Sequence, residues 1–164
     1  MSFADWLIAR VTRRKPDFVI GGAERPYIRR WWVIPRNRCF NIYLHQFLRS
    51  DDDRAHHGHP WLFNFSWVLR GPLVEHLIKA GGLLVKMLLL PGDWRFRWGA
   101  SPHRLELLTK AVEDGEPVMS ECWTLFITGP RVREWGFYCP QGWVHWKKFT
   151  AADDEGAVGR GCDQ

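Results

Sequence analysis

Between residues 27 and 149 the chain alternates short runs of apolar and aromatic residues with turn-forming Gly and Pro pairs. Runs of this length and content are typical of β-strands, and the pairs between them indicate tight turns. About ten such strands in succession predict an all-β sandwich or barrel. The predicted strands cover residues 27–34, 40–48, 61–69, 73–78, 83–90, 94–98, 104–108, 123–128, 135–138 and 143–149.

A different periodicity opens the chain. From Phe3 to Val11, apolar residues recur at the spacing of one helix face, Ser2 is suited to cap the first turn, and Pro16 stops the helix. We therefore predict one short amphipathic helix at residues 2–14, packed on the outside of the barrel or sheet.

The apolar pattern ends near residue 150. Residues 151–164 are rich in Gly and Asp and contain few apolar side chains, so we predict a mobile C-terminal tail. The predicted organisation is a helix at residues 1–16 packed on the barrel, a barrel at 17–150 and a tail at 151–164.

Composition places the chain among globular proteins, with 164 residues, 46% hydrophobic and 25% charged. The longest apolar run, residues 83–90, is too short to span a membrane and is interrupted by Lys86. The first residues lack the features of a signal peptide. The four cysteines are far apart without a C-x-x-C pair, so we expect reduced thiols and a cytoplasmic location.

The net charge is +5 and the sequence pI is about 9.3. The basic residues occur in groups of two or three, which is typical of solvated surfaces. The charge permits contact with nucleic acid or with anionic substrates, but the grouping does not favour nucleic acid as a partner.

One segment concentrates side chains that bind metals. Residues 51–61 read DDDRAHHGHPW and place His57 and His59 two positions apart. On an extended backbone these side chains point to the same face, where two imidazoles can hold one cation. The pattern alone leaves a second interpretation open, an exposed His cluster in an acidic loop.

A distant histidine adds to this pair. A predicted turn at residues 91–93 and a strand are followed by His103. A His-x-His pair and a remote His within an all-β pattern resemble the ligand arrangement of the cupin superfamily.

The first cupin motif is Gly-x5-His-x-His-x3,4-Glu-x6-Gly. His57, His59 and Gly71 match its spacing. Asn64 stands where Glu is usual, and Asp51 stands in place of the first Gly. The motif therefore matches at the histidines and departs from the pattern at the fourth ligand.

More narrowly, residues 40–149 resemble a group of small cupin-like proteins of bacteria and their phages. The resemblance covers about two thirds of the chain. It rests on the blocks HGHPW (57–61), PGD (91–93), HRLE (103–106), WTLFITGP (123–130), WGF (135–137) and GWVHW (142–146).

The resemblance implies a cupin-type double-stranded β-helix, that is a jelly-roll barrel, and one divalent metal ion per chain bound by His57, His59 and His103. Three imidazoles suit Fe(II), Zn(II) or Ni(II) better than Mg(II). We favour Fe(II), with Zn(II), Ni(II) and Mn(II) as alternatives. Asn64 is the candidate fourth ligand; its amide also suits a hydrogen bond to a metal-bound water, or it points elsewhere. Cupins commonly pair through strands, so the resemblance also implies a homodimer.

Two further histidines are candidates for catalytic roles. His45 shares a strand face with Tyr43 and Phe47, and His145 lies between two tryptophans. Either is suited to assist proton transfer, and a packed core histidine is the alternative for each. The tryptophans expected to wall the interior or its mouth, or else to pack in the core, are Trp61, Trp67, Trp98, Trp123, Trp135, Trp143 and Trp146.

Charged residues near these strands have two interpretations. Arg95 and Arg97 alternate with aromatic residues, so they are candidates for binding an anionic substrate or for solvent, with at least one expected in solvent. Glu106 follows His103 by three positions and is expected to be an exposed or paired carboxylate.

These features favour a mononuclear metalloprotein whose substrate is a small molecule. The leading hypothesis is an iron oxygenase of the dioxygenase type, because three His ligands leave coordination positions open. The alternatives are a metal-dependent isomerase or epimerase, and a binding protein without catalytic activity.

Overall fold

The computed structural model describes residues 1–51, 55–110, 118–151, 157–158 and 161–162. It contains helices α1 (Phe3–Val11) and α2 (Trp146–Phe149) and a 3-10 turn at Ala80–Gly82. The strands in chain order are β1 (Phe18–Ile20), β2 (Ile28–Trp32), β3 (Asn41–Phe47), β4 (His56–His57), β5 (Phe63–Arg70), β6 (Leu73–Ile78), β7 (Leu84–Leu89), β8 (Trp94–Trp98), β9 (His103–Glu106), β10 (Thr109–Lys110), β11 (Val118–Met119), β12 (Cys122–Thr128), β13 (Gly136–Cys139), β14 (Gly142–His145), β15 (Thr150–Ala151) and β16 (Ala157–Val158).

The strands form two main antiparallel sheets of six strands each. The first sheet has the order β1-β2-β3-β12-β5-β8, and the second has the order β14-β13-β4-β9-β6-β7. The chain crosses repeatedly between them, as from β3 to β4 and from β4 to β5. This connectivity is that of a jelly roll, so the predicted all-β class is confirmed.

Apolar side chains from both sheets close one end of the sandwich. Ile28, Phe47 and Val68 of the first sheet pack with Leu73 and Leu89 of the second. Burying such side chains contributes about 1.5–3 kcal/mol each to folding. The remaining space between the sheets is a cavity, and the candidate site lies on its wall.

Helix α1 covers the outer face of the first sheet. Its start is fixed by a capping box, in which the Ser2 hydroxyl accepts a hydrogen bond from the Asp5 backbone N–H at 3.1 Å. Leu7 and Ile8 are buried against the sheet. Asp5 also forms an ion pair with Arg70 of β5. The predicted helix is therefore present, although it ends at Val11, before Pro16.

Strands β5 and β8 have an inverted pattern, with aromatic residues outside and polar residues inside. Trp94 and Trp98 are 61% and 58% exposed, whereas Arg97 between them is 6% exposed. On β5, Asn64 and Ser66 are buried on the inner face. The inner surface at this position is therefore built for polar groups.

This inversion decides which tryptophans reach the interior. Trp61, Trp135 and Trp146 line the cavity, as expected. Trp67 and Trp123 pack in the core cluster beneath α1, in agreement with the alternative of core packing. For Trp98 and Trp143 both interpretations are wrong, because these side chains are exposed. A large ring on an outward position is covered by the helix or left at the surface.

The C-terminal region differs from the sequence prediction in two respects. The strand predicted at 143–149 ends at His145, and Trp146–Phe149 is helical. Cys139 and Cys162 form a disulfide, so the prediction of reduced thiols is wrong for this pair. The two cysteines are 23 positions apart, a spacing that corresponds to no motif recognisable in the sequence.

The predicted mobile tail is described only in part. Ala151 pairs with Ala157 in the small β15–β16 sheet. Residues 152–156, 159–160 and 163–164 lie outside the described residues. Among the described residues, no helix combines the length and the apolar character needed to cross a bilayer.

Candidate metal centre

The segment from His57 to Leu62 passes from the second sheet to the first. It crosses closely over Gly99, where an added Cβ would lie 1.7 Å from the Trp61 carbonyl oxygen. The His59 backbone N–H donates to the Gly99 carbonyl at 2.7 Å. Because this segment changes sheets, alternation from His59 does not determine the face on which Asn64 lies. The absence of a side chain at Gly99 thus allows the backbone that carries His59 to pass this close.

Strand pairing brings the three histidines together. His57 of β4 is the register partner of His103 of β9, so their side chains share the inner face. The His59 Nε2 and His103 Nε2 atoms are 2.8 Å apart. One nitrogen from each of the three rings lies within 4.8 Å of the others. The predicted convergence of three imidazoles is therefore present.

Burial keeps these rings neutral. It lowers the pKa of His57, and it lowers the pKa of His59 well below its ordinary value. Burial also lowers the pKa of His103 to about 4, although the hydrogen bond to Glu75 opposes this effect. Neutral imidazole is the form that offers a lone pair to a metal.

Glu75 organises this wall of the cavity and was missed in the sequence. Its buried carboxylate accepts a hydrogen bond from His103 Nδ1 at 2.8 Å and pairs with Arg97 and Arg95. Burial raises the pKa of Glu75, but the hydrogen bond from His103 and the charge of Arg97 outweigh it and lower the pKa to about 2. The detectable signal was a carboxylate at the inward position of a strand, two residues after Leu73.

Arg97 and Asn64 are buried neighbours beside this carboxylate. Arg97 Nη1 donates to Asn64 Oδ1 at 3.4 Å, and Asn64 Nδ2 has no hydrogen-bond partner among the described residues. Asn64 is not among the residues that line the cavity. Its role as a fourth ligand stays a prediction.

The cavity has a volume of about 760 Å³, enough for a small organic molecule. The three histidines lie on one wall. Phe126 connects this wall to another, since its ring centroid is 5.8 Å from that of His59 and 5.1 Å from that of His45. The other aromatic lining residues are Phe18, Tyr27, Phe47, Trp61, Trp135, Phe137 and Trp146.

The two predicted catalytic histidines are in different places. His45 lines the cavity, and its Nε2 accepts a hydrogen bond from Arg30 Nε at 2.8 Å. Burial lowers the pKa of His45 well below its ordinary value, and the Arg30 charge adds to this. His145 is not among the lining residues; it pairs with Glu134 at 3.0 Å and accepts from the Lys147 backbone N–H at the start of α2. Catalytic roles for both stay predictions.

Glu106 lies outside the centre. Its carboxylate pairs with His76 at 2.6 Å and with Arg104 at 3.3 Å. It is the partly exposed, paired carboxylate that the sequence indicated.

The donor set fits a divalent ion. His103 holds its Nδ1 proton toward Glu75, which leaves Nε2 with the lone pair. Buried His57 Nδ1 has no hydrogen-bond partner among the described residues and lies 4.0 Å from an Asp51 oxygen. Neutral imidazoles near a buried carboxylate form an environment that favours a cation.

No family model matches the sequence, and no curated protein matches it. Solved structures do. An Fe(II) HppE structure in complex with substrate superposes with a TM-score of 0.50 at 17% identity over 71% of this chain and 57% of that chain. A structure concerning the Mn(II) centres of Bacillus subtilis oxalate decarboxylase superposes with a TM-score of 0.50 at 14% identity over 78% and 31%.

Oxalate oxidase in complex with the substrate analogue glycolate is also similar, with a TM-score of 0.43 at 14% identity over 60% of this chain and 45% of that chain. The chain thus spans little more than half of HppE and about a third of the decarboxylase. HppE and the decarboxylase have the cupin fold, and the cupin-type fold implied by the resemblance is confirmed.

Proposed function

We propose that this cupin-type fold forms a mononuclear metal-dependent enzyme, an Fe(II) oxygenase that acts on a small molecule. The proposal rests on the convergence of His57, His59 and His103 on the wall of a cavity large enough for a substrate. Three protein ligands leave coordination positions open, as catalytic sites require.

The chain's own residues prepare this centre. Glu75 holds the proton of His103 at Nδ1, so that Nε2 is available as a ligand. The aromatic walls exclude water and strengthen the electrostatic interactions inside. A bound divalent ion supplies Lewis-acid chemistry or, as iron, redox chemistry. HppE with Fe(II) and the decarboxylase with Mn(II) support a divalent ion in this fold.

His45 is our candidate for a hydrogen-bond donor to the substrate. Because its Nε2 accepts a hydrogen bond from Arg30, the proton of the neutral ring resides on Nδ1. The low pKa of His45 keeps the ring neutral. We therefore assign it the role of a hydrogen-bond donor to substrate through Nδ1.

The test is metal content by mass spectrometry on protein purified without a histidine tag. We expect about one divalent ion per chain, consistent with a single three-His centre. The His57→Ala and His103→Ala variants should lose it. The matched control is His76→Ala, because His76 is not among the cavity-lining residues and pairs with Glu106.

Oxygen uptake then distinguishes the reaction classes. Iron together with substrate-dependent oxygen consumption supports the oxygenase. Zinc, nickel or manganese without oxygen uptake replaces it with a metal-dependent isomerase or epimerase. Absence of bound metal in the parent protein, or equal metal content in His76→Ala and His103→Ala, overturns the metal-dependent function.

A further inference from the structure

The charges around the cavity are strongly unequal. Among the described lining residues there are four arginines and one aspartate. The aspartate, Asp51, is engaged near His57 and accepts a hydrogen bond from the Leu105 backbone N–H at 2.8 Å. Arg97 is neutralised by Glu75, which is not itself a lining residue, so the unequal charge belongs to the part of the cavity away from the three histidines. That part of the cavity therefore favours an anion.

Arg30 is the arginine whose environment is most informative. It lies on β2 as the register partner of His45, and its guanidinium carbon is 5.0 Å from the Tyr43 ring centroid. Burial lowers the pKa of Arg30 to about 10, which still leaves it charged at neutral pH. Among the described residues it forms no ion pair, and its one hydrogen bond uses Nε on a neutral ring.

A charge taken from water without a counter-charge is unfavourable, so such groups are normally paired. Arg30 keeps two terminal nitrogens without a hydrogen-bond partner among the described residues. Two parallel N–H donors of this kind match two oxygens of a carboxylate or a phosphonate. His45 holds Nε and thereby restricts the orientation of the guanidinium group.

We propose that Arg30 is the substrate-binding residue for an oxyanion head group, so that the substrate of this cavity is a small organic carboxylate or phosphonate. That the bound anion is a substrate rests on the proposed function. The binding of the anion itself does not depend on the metal. Arg30 and the three histidines line the same cavity. The Phe126 ring contacts both His45 and His59, so it connects the anion site to the metal centre.

The experiment measures binding of three probes to the full chain freed of metal with a chelator. The probes are propionate, ethylphosphonate and the neutral isostere propionamide. Tryptophan fluorescence is the signal, since Trp61, Trp135 and Trp146 line the cavity. We expect at least one anion to bind about tenfold or more tightly than propionamide, as a charge-assisted bidentate contact implies. The tighter of the two anions identifies the head group.

Two neighbouring arginines provide matched variants. Arg30→Met should lose the preference for the anion, a drop of about tenfold or more in affinity. Arg29→Met removes the same charge from the exposed face of β2 and should leave the affinity within about twofold. Arg30→Lys keeps the charge without the planar fork and should be intermediate.

Equal affinity for propionate, ethylphosphonate and propionamide overturns the proposal, as does an Arg30→Met protein that binds the anions like the parent. The comparison of probes on the parent chain decides the question even if Arg30→Met does not fold. His57→Ala should retain anion binding. Loss of metal binding therefore tests the proposed function, and loss of anion preference tests this inference.

Discussion

Arg97 and Arg30 line the same cavity, but their guanidinium groups have different kinds of partner. Arg97 pairs with the buried carboxylate of Glu75, which also holds His103. Arg30 donates to the neutral ring of His45 and meets no carboxylate among the described residues. One cation is neutralised by the chain, whereas the other is left for a group that the chain does not supply.

This difference distinguishes an arginine that stabilises the fold, Arg97, from an arginine that is available to bind a ligand, Arg30. A carboxylate shared by two arginines and a histidine fixes the wall on which the proposed ligands lie. A cation supported only by a neutral ring and an aromatic face retains its attraction for an anion. Both residues are arginines that line the cavity, Arg97 buried and Arg30 half-buried. Their partners differ most, so the partner is the informative property.

The largest effect is expected from Glu75→Gln. This change leaves the charge of Arg97 and the polar Nδ1 of His103 buried beside a neutral amide, and removal of one partner from such a group costs about 3–5 kcal/mol of unfolding free energy. Denaturant titration of the metal-free protein measures it. Glu106→Gln is the control, since its partly exposed pair is worth about 1 kcal/mol or less. Equal losses in the two variants would contradict the structural role of Glu75.

Next in size is the contrast between Arg97→Met and Arg30→Met. Arg97→Met leaves Glu75 with fewer partners and should reduce the unfolding free energy by about 3 kcal/mol. Arg30→Met removes a cation that has no counter-charge among the described residues, so the change should be about 1 kcal/mol or less. Denaturant titration in buffer without small oxyanions is the measurement. A loss for Arg30→Met as large as that for Arg97→Met would remove the distinction between the two arginines.

Replacing Glu75, the hydrogen-bond partner of His103, should reduce the metal affinity less than replacing a metal-binding histidine. Glu75→Gln keeps an acceptor for His103 Nδ1 but removes the negative charge, so we expect affinity for the ion to fall about 10- to 100-fold. Competition with a chelating dye measures this. Glu106→Gln should leave the affinity unchanged. An unchanged affinity in Glu75→Gln would show that this carboxylate does not tune the site.

The smallest effect concerns the exposed pair between Asp5 and Arg70, which extends the comparison to the surface. Hydrogen bonds from Arg70 and Ser2 lower the pKa of Asp5 from 3.8 to about 2. A carboxylate with a lowered folded-state pKa stabilises the protein above its unfolded pKa and loses that contribution as the pH falls through about 2. Arg70→Ala should therefore lower the melting temperature slightly at pH 7, and the difference should vanish by about pH 2. A difference that persists at that pH would exclude the ion pair as its cause.

Local rules predicted the periphery of the fold well. The helix start at Ser2 and the strand bounds at Leu73–Ile78 and Trp94–Trp98 agree with the sequence prediction, because capping and alternation are local signals. The pairing of His57 with His103 could be anticipated only through the resemblance. Register between strands 46 residues apart in sequence is not encoded in either segment alone.

The interior could not be predicted by the usual assumption that apolar residues face inward. On β8 the aromatic residues are outside and Arg97 is inside, because a polar site occupies that part of the interior. Glu75 and Arg30 were missed for the same reason. A strand with charged residues on its inner face has the same alternating sequence as a strand with them on its outer face. The inner face is identified only when the residues that it contacts are known.

The two-residue strand β4 has a mechanical consequence. It is the junction of the second sheet, with β13 and β14 on one side and β9, β6 and β7 on the other, and His57–His103 is its single register pair with β9. An ion bound by both His57 and His103 would link β4 to β9 and stabilise the junction between the two halves of the second sheet. Chelation should then speed amide hydrogen exchange first at residues 56–58 and along β13, while β12 in the opposite sheet keeps its protection.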